Sequence, residues 1–231
     1  MIRRYLPKSA LWKLLLWVAP ERYQQEKARR LGFPFPEFFD ATRSIFVHVP
    51  KAAGTSVSLA LYGMQVGHRT WREWHELNPR KFNTYFKFAV VRDPIARFAS
   101  AFYFLRGGGM NAHDREFGER VLKPFAGPNE LAKALVDYDL QRLVLGWQHF
   151  RTQCDYVADD RGRPQTDALV KFENIDAGFE RVSRQVKGAA RTLPRLNATP
   201  EKADPAFDRQ ALDVLECIYQ TDFTIWREHA Q

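Results

Sequence analysis

Cysteine is scarce in this chain. Cys154 and Cys217 are the only two among 231 residues, too few and too far apart for a disulfide framework or a zinc site, so both read as ordinary thiols in a reducing compartment. No apolar run reaches the roughly 20 residues that a spanning helix needs. The longest candidate, residues 10–19, is interrupted by Lys13 and stopped by Pro20, and no small-residue cleavage site follows it. Internal repeats, low-complexity tracts and zinc-finger, homeodomain or RNA-stacking signatures are also missing, which leaves nucleic acid out as a partner. Acidic residues are the minority, 27 against 35 basic ones, for a net charge of +8. That balance points to anionic partners. A 45% hydrophobic and 14% aromatic content fits one folded domain of this length.

Residues 44–63 organise the chain. Ile45, Phe46, Val47 and Val49 form a short apolar run suited to a strand covered on both faces, and Pro50 ends it. Lys51, Ala52, Ala53 and Gly54 make a tight loop in which glycine lets the backbone approach a ligand. Thr55 and Ser56 then open a helix carrying Val57, Leu59, Ala60 and Leu61. The first amides of such a helix have no intrahelical partner, and the macrodipole adds positive charge there, so an anion fits. Lys51 and the hydroxyls of Thr55 and Ser56 add donors. The nucleotide loop G-x-x-x-x-G-K-[ST] has its lysine after the second glycine. Here Lys51 precedes Gly54, and no glycine lies upstream in the loop.

A second strand-turn-helix follows about 40 residues later. Phe86 to Val91 forms the strand. Asp93 can cap, Pro94 suits the first helical position, and Ile95, Phe98, Ala99, Phe102 and Leu105 make an apolar stripe. Arg92 then stands at the strand's carboxyl end with Ser100 about two turns into the helix, a fork and a hydroxyl suited to a phosphate monoester. Arg97 reads as solvent-facing or salt-bridged.

Pro-Lys-Ala-Ala-Gly-Thr-Ser resembles the 5′-phosphosulfate loop of sulfotransferases, and the preceding Phe-Val-His-Val resembles the carbohydrate sulfotransferase branch (sulfotransferase family 2). The Arg92-to-Ser100 segment resembles the family's 3′-phosphate motif. The resemblance implies 3′-phosphoadenosine-5′-phosphosulfate (PAPS) as co-substrate, adenosine 3′,5′-bisphosphate (PAP) as product and no metal. It implies Lys51, Ala52, Ala53, Gly54, Thr55, Ser56, Arg92 and Ser100 as donor contacts, and a carbohydrate or glycan-like acceptor. Lys51 also counts as catalytic, because it faces the leaving phosphate. His68, after the first helix, matches the position of the family's base. His75 is the runner-up, Glu73 stands third, and His48 reads as structural. The readings kept beside this one are a P-loop kinase-like phosphotransferase and a non-catalytic nucleotide-binding or membrane-surface protein.

The remaining chain supplies helices and turns. Thr70 or a neighbour starts a short helix, and Gly107 to Gly109 end the helix that carries Ser100. Residues 111–127 read as polar and irregular, a region for acceptor specificity. Asn129 caps a helix to Asp137, and Leu140 to Trp147 continues in helical pattern. Residues 149–157 resemble a family segment whose glutamine and aromatic lie near the cleft. Residues 159–164 form a hairpin-like turn, 168–173 a strand and 175–187 a helix. Asn197 resembles a loop asparagine near the donor, and Asp204 and Pro205 start the last helix. The expected fold is α/β, a three-layer P-loop-like arrangement with a central mainly parallel sheet flanked by helices. Residues 1–40 form an N-terminal helical extension and 41–231 the sulfotransferase domain. Arg3, Arg4, Lys8, Trp12 and Trp17 suit residues 1–20 to an anionic membrane surface, but the favoured reading is an N-terminal helix packed on the domain or on a second copy in a homo-oligomer. The absence of a membrane anchor suggests a cytoplasmic enzyme, peripheral to the inner membrane if that contact is made.

Overall fold

The computed structural model describes residues 34–194 and 206–231. The expectations for residues 1–33, for Asn197 and for Asp204 and Pro205 therefore lie outside the described residues. The described chain is α/β, with a three-stranded parallel sheet of order β1-β2-β3 flanked by helices. β1 is Ser44–Val47, β2 is Phe86–Val91 and β3 is Ala168–Lys171. Phe46 stands opposite Phe88, and Phe88 opposite Ala168.

The strands form where the apolar runs lie, because a parallel sheet must be covered on both faces. Ile45, Phe46 and Val47 are fully buried. Helices α1 (Glu37–Thr42), α2 (Gly54–Tyr62), α3 (Trp71–Leu77) and α4 (Pro79–Thr84) surround the first strand. α3 begins with a capping box, in which Thr70 and Glu73 satisfy each other's backbone donors. Helix α5, Pro94–Arg106, follows β2 with Asp93 accepting from the Ala96 amide at 2.8 Å. After β3, α10 (Ile175–Lys187) lies on the sheet, where Val57, Phe179 and Val182 meet Phe88, Val90 and Val170. Gly178 permits that seating: a Cβ there would come within 2.2 Å of a Val170 methyl.

A second apolar core is helical. It gathers Phe98, Phe102 and Leu105 of α5 with residues of α7 (Pro128–Ala134), α8 (Tyr138–Leu145) and α11 (Arg209–Ile218). Trp226 packs against both cores. Between the cores run α6 (Ala112–Phe117), α9 (Gln153–Val157) and α12 (Gln220–Thr224).

Three local expectations are corrected. Residues 111–122 are helical rather than irregular, and only 123–127 are turns: Asn111 caps α6 by accepting from the Asp114 amide, and a π-helical turn, Gly118–Leu122, continues it. Asn129 is not a cap. Its side chain bonds Asp208 instead, accepting from the Asp208 amide at 3.0 Å and donating to its carboxylate at 3.1 Å, which ties α7 to α11. The last long helix begins at Arg209, because Asp208 accepts from the Ala211 amide and caps it.

Candidate active site

The loop between β1 and α2 is held in an uncommon backbone shape. Lys51 and Ala53 have φ of 69° and 57°, left-handed values that cost a non-glycine residue about 1–2 kcal/mol each. Such a backbone turns successive amides toward one concavity. The first i→i−4 bond of α2 runs from the Val57 amide to the Ala53 carbonyl at 3.2 Å, so the amides of Gly54, Thr55 and Ser56 stand ahead of it at the positive end of the helix. Ala52 and Ser56 are buried, while Thr55 is half-buried at the surface of the turn.

Gly54 makes room for a neighbour within the fold. A Cβ there would fall 1.8 Å from the His48 ring. That ring stacks on Phe46 at 5.4 Å and bonds the Val66 carbonyl through Nδ1 at 2.6 Å. Burial, with His68 and His149 nearby, lowers its pKa to about 3, so His48 is a neutral spacer under the loop.

Two arginines from the second motif reach this loop. Arg92 donates to the Lys51 carbonyl at 3.4 Å and lies over the Phe172 ring at 4.5 Å. Arg97 is not solvent-facing, contrary to expectation: it is 1% exposed. Its guanidinium donates to the carbonyls of Pro50 (3.3 Å), His149 (3.1 Å) and Arg151, so three hydrogen bonds join α5 to the loop at residue 50 and to residues 149–151. One turn beyond Ser100 on the same face of α5, Phe104 receives the Lys51 ammonium 3.7 Å from its ring centre. Ser100 lies between Arg97 and Phe104 on the same face of α5. Burial and the neighbouring Arg92 guanidinium lower the Lys51 pKa to about 8.

A lysine loop is thus paired with a following arginine motif. A family profile, described as the sulfotransferase family, matches residues 38–226. The chain belongs to the sulfotransferase family. No curated protein and no solved structure gives a significant match.

In this sulfotransferase the proposed base, His68, sits beside the loop. Its Nδ1 is 3.2 Å from the His48 carbonyl. A carbonyl only accepts, so Nδ1 carries the proton and Nε2 keeps its lone pair. Burial lowers the His68 pKa, and Lys51 adds to the effect. His75 and Glu73 are engaged elsewhere. His75 packs edge-on to Phe82 at 5.5 Å, and Glu73 is committed to the Thr70 cap and to Arg69 at 3.1 Å.

The sulfotransferase holds Arg92 by a device that sequence reading did not identify. The buried Gln153 amide accepts from the Arg92 amide at 2.9 Å and donates to its carbonyl at 2.8 Å, as a further strand residue would. Asp222, also buried, accepts from the Gln153 and Cys154 amides at 2.7 and 2.8 Å. Glu173 accepts from the Asp93 amide and the Trp226 indole. The resemblance of residues 149–157 flagged Gln153, but nothing local links it to Arg92 or Asp222.

His149 and Asp114 were missed as well. His149 is 5% exposed, its ring 4.8 Å from Phe104 and 6.0 Å from His68. Asp114 is 1% exposed. Among the described residues no group of three or more His, Cys, Asp or Glu is placed to hold a metal, and no helix is long and apolar enough to cross a membrane.

Proposed function

We propose that this sulfotransferase takes its sulfuryl group from PAPS and delivers it to a hydroxyl of a carbohydrate or glycan-like acceptor. One observation carries the reading: Lys51, the leading amides of α2, Arg92 and the His68 imidazole come together although two separate motifs and the segment between them supply them. Two cationic positions suit a donor with phosphate at both its 5′ and 3′ ends, and the positive end of a helix suits the first of these.

When bound, the donor supplies an activated sulfuryl group on a phosphate leaving group. Lys51 and the amides of Gly54, Thr55 and Ser56 hold that phosphate and take up the charge left on it, with Ala52 and Ala53 shaping the turn. Arg92 and Ser100 hold the 3′-phosphate. His68 accepts the acceptor's proton at Nε2, a role worth about 10²- to 10⁴-fold. The basic balance of the chain suits an acidic sugar. With this reading go the division into residues 1–40 and 41–231, a cytoplasmic setting, and contact of residues 1–20 with a membrane surface or a second copy.

Thermal unfolding with PAP, adenosine 5′-monophosphate and ATP-magnesium tests the donor. Ligand at about 100 times its dissociation constant adds about 2.7 kcal/mol, a rise of roughly 5 to 10 °C at this chain length. PAP alone should produce the rise, and Arg92→Ala should abolish it. A rise with ATP-magnesium instead would sink the assignment.

A further inference from the structure

Asp114 is buried beside the proposed site, 1% exposed on the short helix α6. The chain makes room for it at the end of the glycine run: Gly109 has φ of 61°, and a Cβ there would come within 2.1 Å of the Asp114 Cβ. Neutral donors hold its carboxylate. Oδ1 accepts from the Trp147 indole at 3.3 Å, and Oδ2 accepts from the Met110 amide and the Asn111 side chain at 3.1 and 3.2 Å. Nε2 of His149 is 3.6 Å from Oδ1, just beyond hydrogen-bond length. Burial lowers the pKa of that imidazole to about 4, so it is neutral near pH 7. All four contacts are therefore uncharged, and the carboxylate's charge is not cancelled where it sits. Burying a charge in this way is costly, and a buried charge acts over several ångströms because little water screens it.

Its surroundings beyond the first contacts are positive. The Lys51 ammonium lies on the same Phe104 ring that the His149 imidazole touches, and the His68 ring is 6.0 Å from His149. Lys51 is also faced by Arg92 and Arg97, His68 by Lys51 and the His48 carbonyl, and His149 by His68, Lys51 and Arg97. Burial lowers the pKa of both Lys51 and His68, and Asp114 is the acidic neighbour that opposes the fall in each. Resting on the sulfotransfer reading above, we propose that Asp114 is a positioning residue for transfer, the counter-charge that keeps Lys51 an ammonium for the leaving phosphate and stabilises the imidazolium that His68 becomes. As the acceptor's O–H bond breaks, its proton joins Nε2 of His68 and the ring gains a unit charge close to Lys51. A carboxylate already fixed in place offsets that charge without rearrangement.

Two titrations on the full chain, wild type against Asp114→Asn, test this. One follows PAP affinity by calorimetry from about pH 6 to pH 10, where the bend in affinity reports Lys51. The other follows the His68 imidazole ¹⁵N resonances in ligand-free ¹⁵N-histidine protein, assigned by their loss in His68→Ala. Both midpoints should move to lower pH in Asp114→Asn, each by about half a unit or more. The direction separates this from a structural role. Loosened packing would admit water, relieve the burial that lowers both groups and move the midpoints up toward 10.5 and 6.5. Where Asp114→Asn does not fold, Asp114→Ser, smaller and also neutral, takes its place. A midpoint that stays or rises in either titration would overturn the proposal. If wild type binds no PAP, it is the donor reading that fails, while the His68 titration needs no ligand and still decides on Asp114.

Discussion

The phosphate cradle and the imidazole cluster lie side by side but are built differently. Residues 50–56 form the cradle from consecutive backbone, with two left-handed residues and a helix start supplying its donors. The cluster takes His48, His68, Asp114 and His149 from four distant stretches and relies on carbonyls, rings and one carboxylate to orient them. Backbone donors need little from the rest of the fold, whereas side chains gathered from afar depend on every element that carries them.

The sharpest way to separate the two is substitution on either side. His68→Ala should cost about 10²- to 10⁴-fold in transfer while sparing the PAP-induced thermal rise. Lys51→Ala should lose both, and kinetics beside unfolding scans would show the split. If His68→Ala also loses the rise, the two regions are one unit and the contrast fails.

The pH profile sharpens the same contrast. Transfer should fall on the acid side as His68 protonates, below its ordinary value of about 6.5 because burial lowers its pKa. It should fall on the alkaline side as Lys51, lowered to about 8, loses its charge. Lys51→Arg should remove the alkaline limb alone, since guanidinium stays charged.

A stability test follows at Gly54, where cradle meets cluster. Gly54→Ala drives a methyl into the buried His48 ring and should destabilise by about 1–3 kcal/mol in urea unfolding. Adding His48→Ala should recover part of it, because the clash is with that ring. No recovery would mean that the loop backbone itself needs glycine.

Acid bears on the buried imidazoles of the cluster. His48 and His149 have folded pKa values of about 3 and about 4, below the unfolded value of 6.5. The unfolded chain therefore binds more protons between those values, and stability is lost as pH falls from about 6.5, by up to about 1.4 kcal/mol per pH unit for each. Urea midpoints at pH 7 and pH 5 would measure it.

Legibility in the sequence follows the same division. The strand and helix of each phosphate motif, a helix start near Thr70 and the helix Ile175–Lys187 could be read because apolar spacing and capping residues act within a few positions. The burial of Arg97 could not, since its partners are carbonyls 47 to 54 positions away. Asn129 misled for the same reason: its type suits a cap, but Asp208 of a distant helix claims it. His149 sits in a segment that looked relevant as a whole, yet only the fold sets it against Phe104 and Asp114.

The grip of Gln153 on the Arg92 backbone bears on how the protein is made. Both phosphate motifs have left the ribosome once residue 100 has, but the amide that aims Arg92 comes with residue 153. The carboxylate that anchors the backbone of Gln153 arrives only with Asp222. A nascent chain halted between those points carries every proposed donor contact in its sequence and not yet the arrangement that would make them a site.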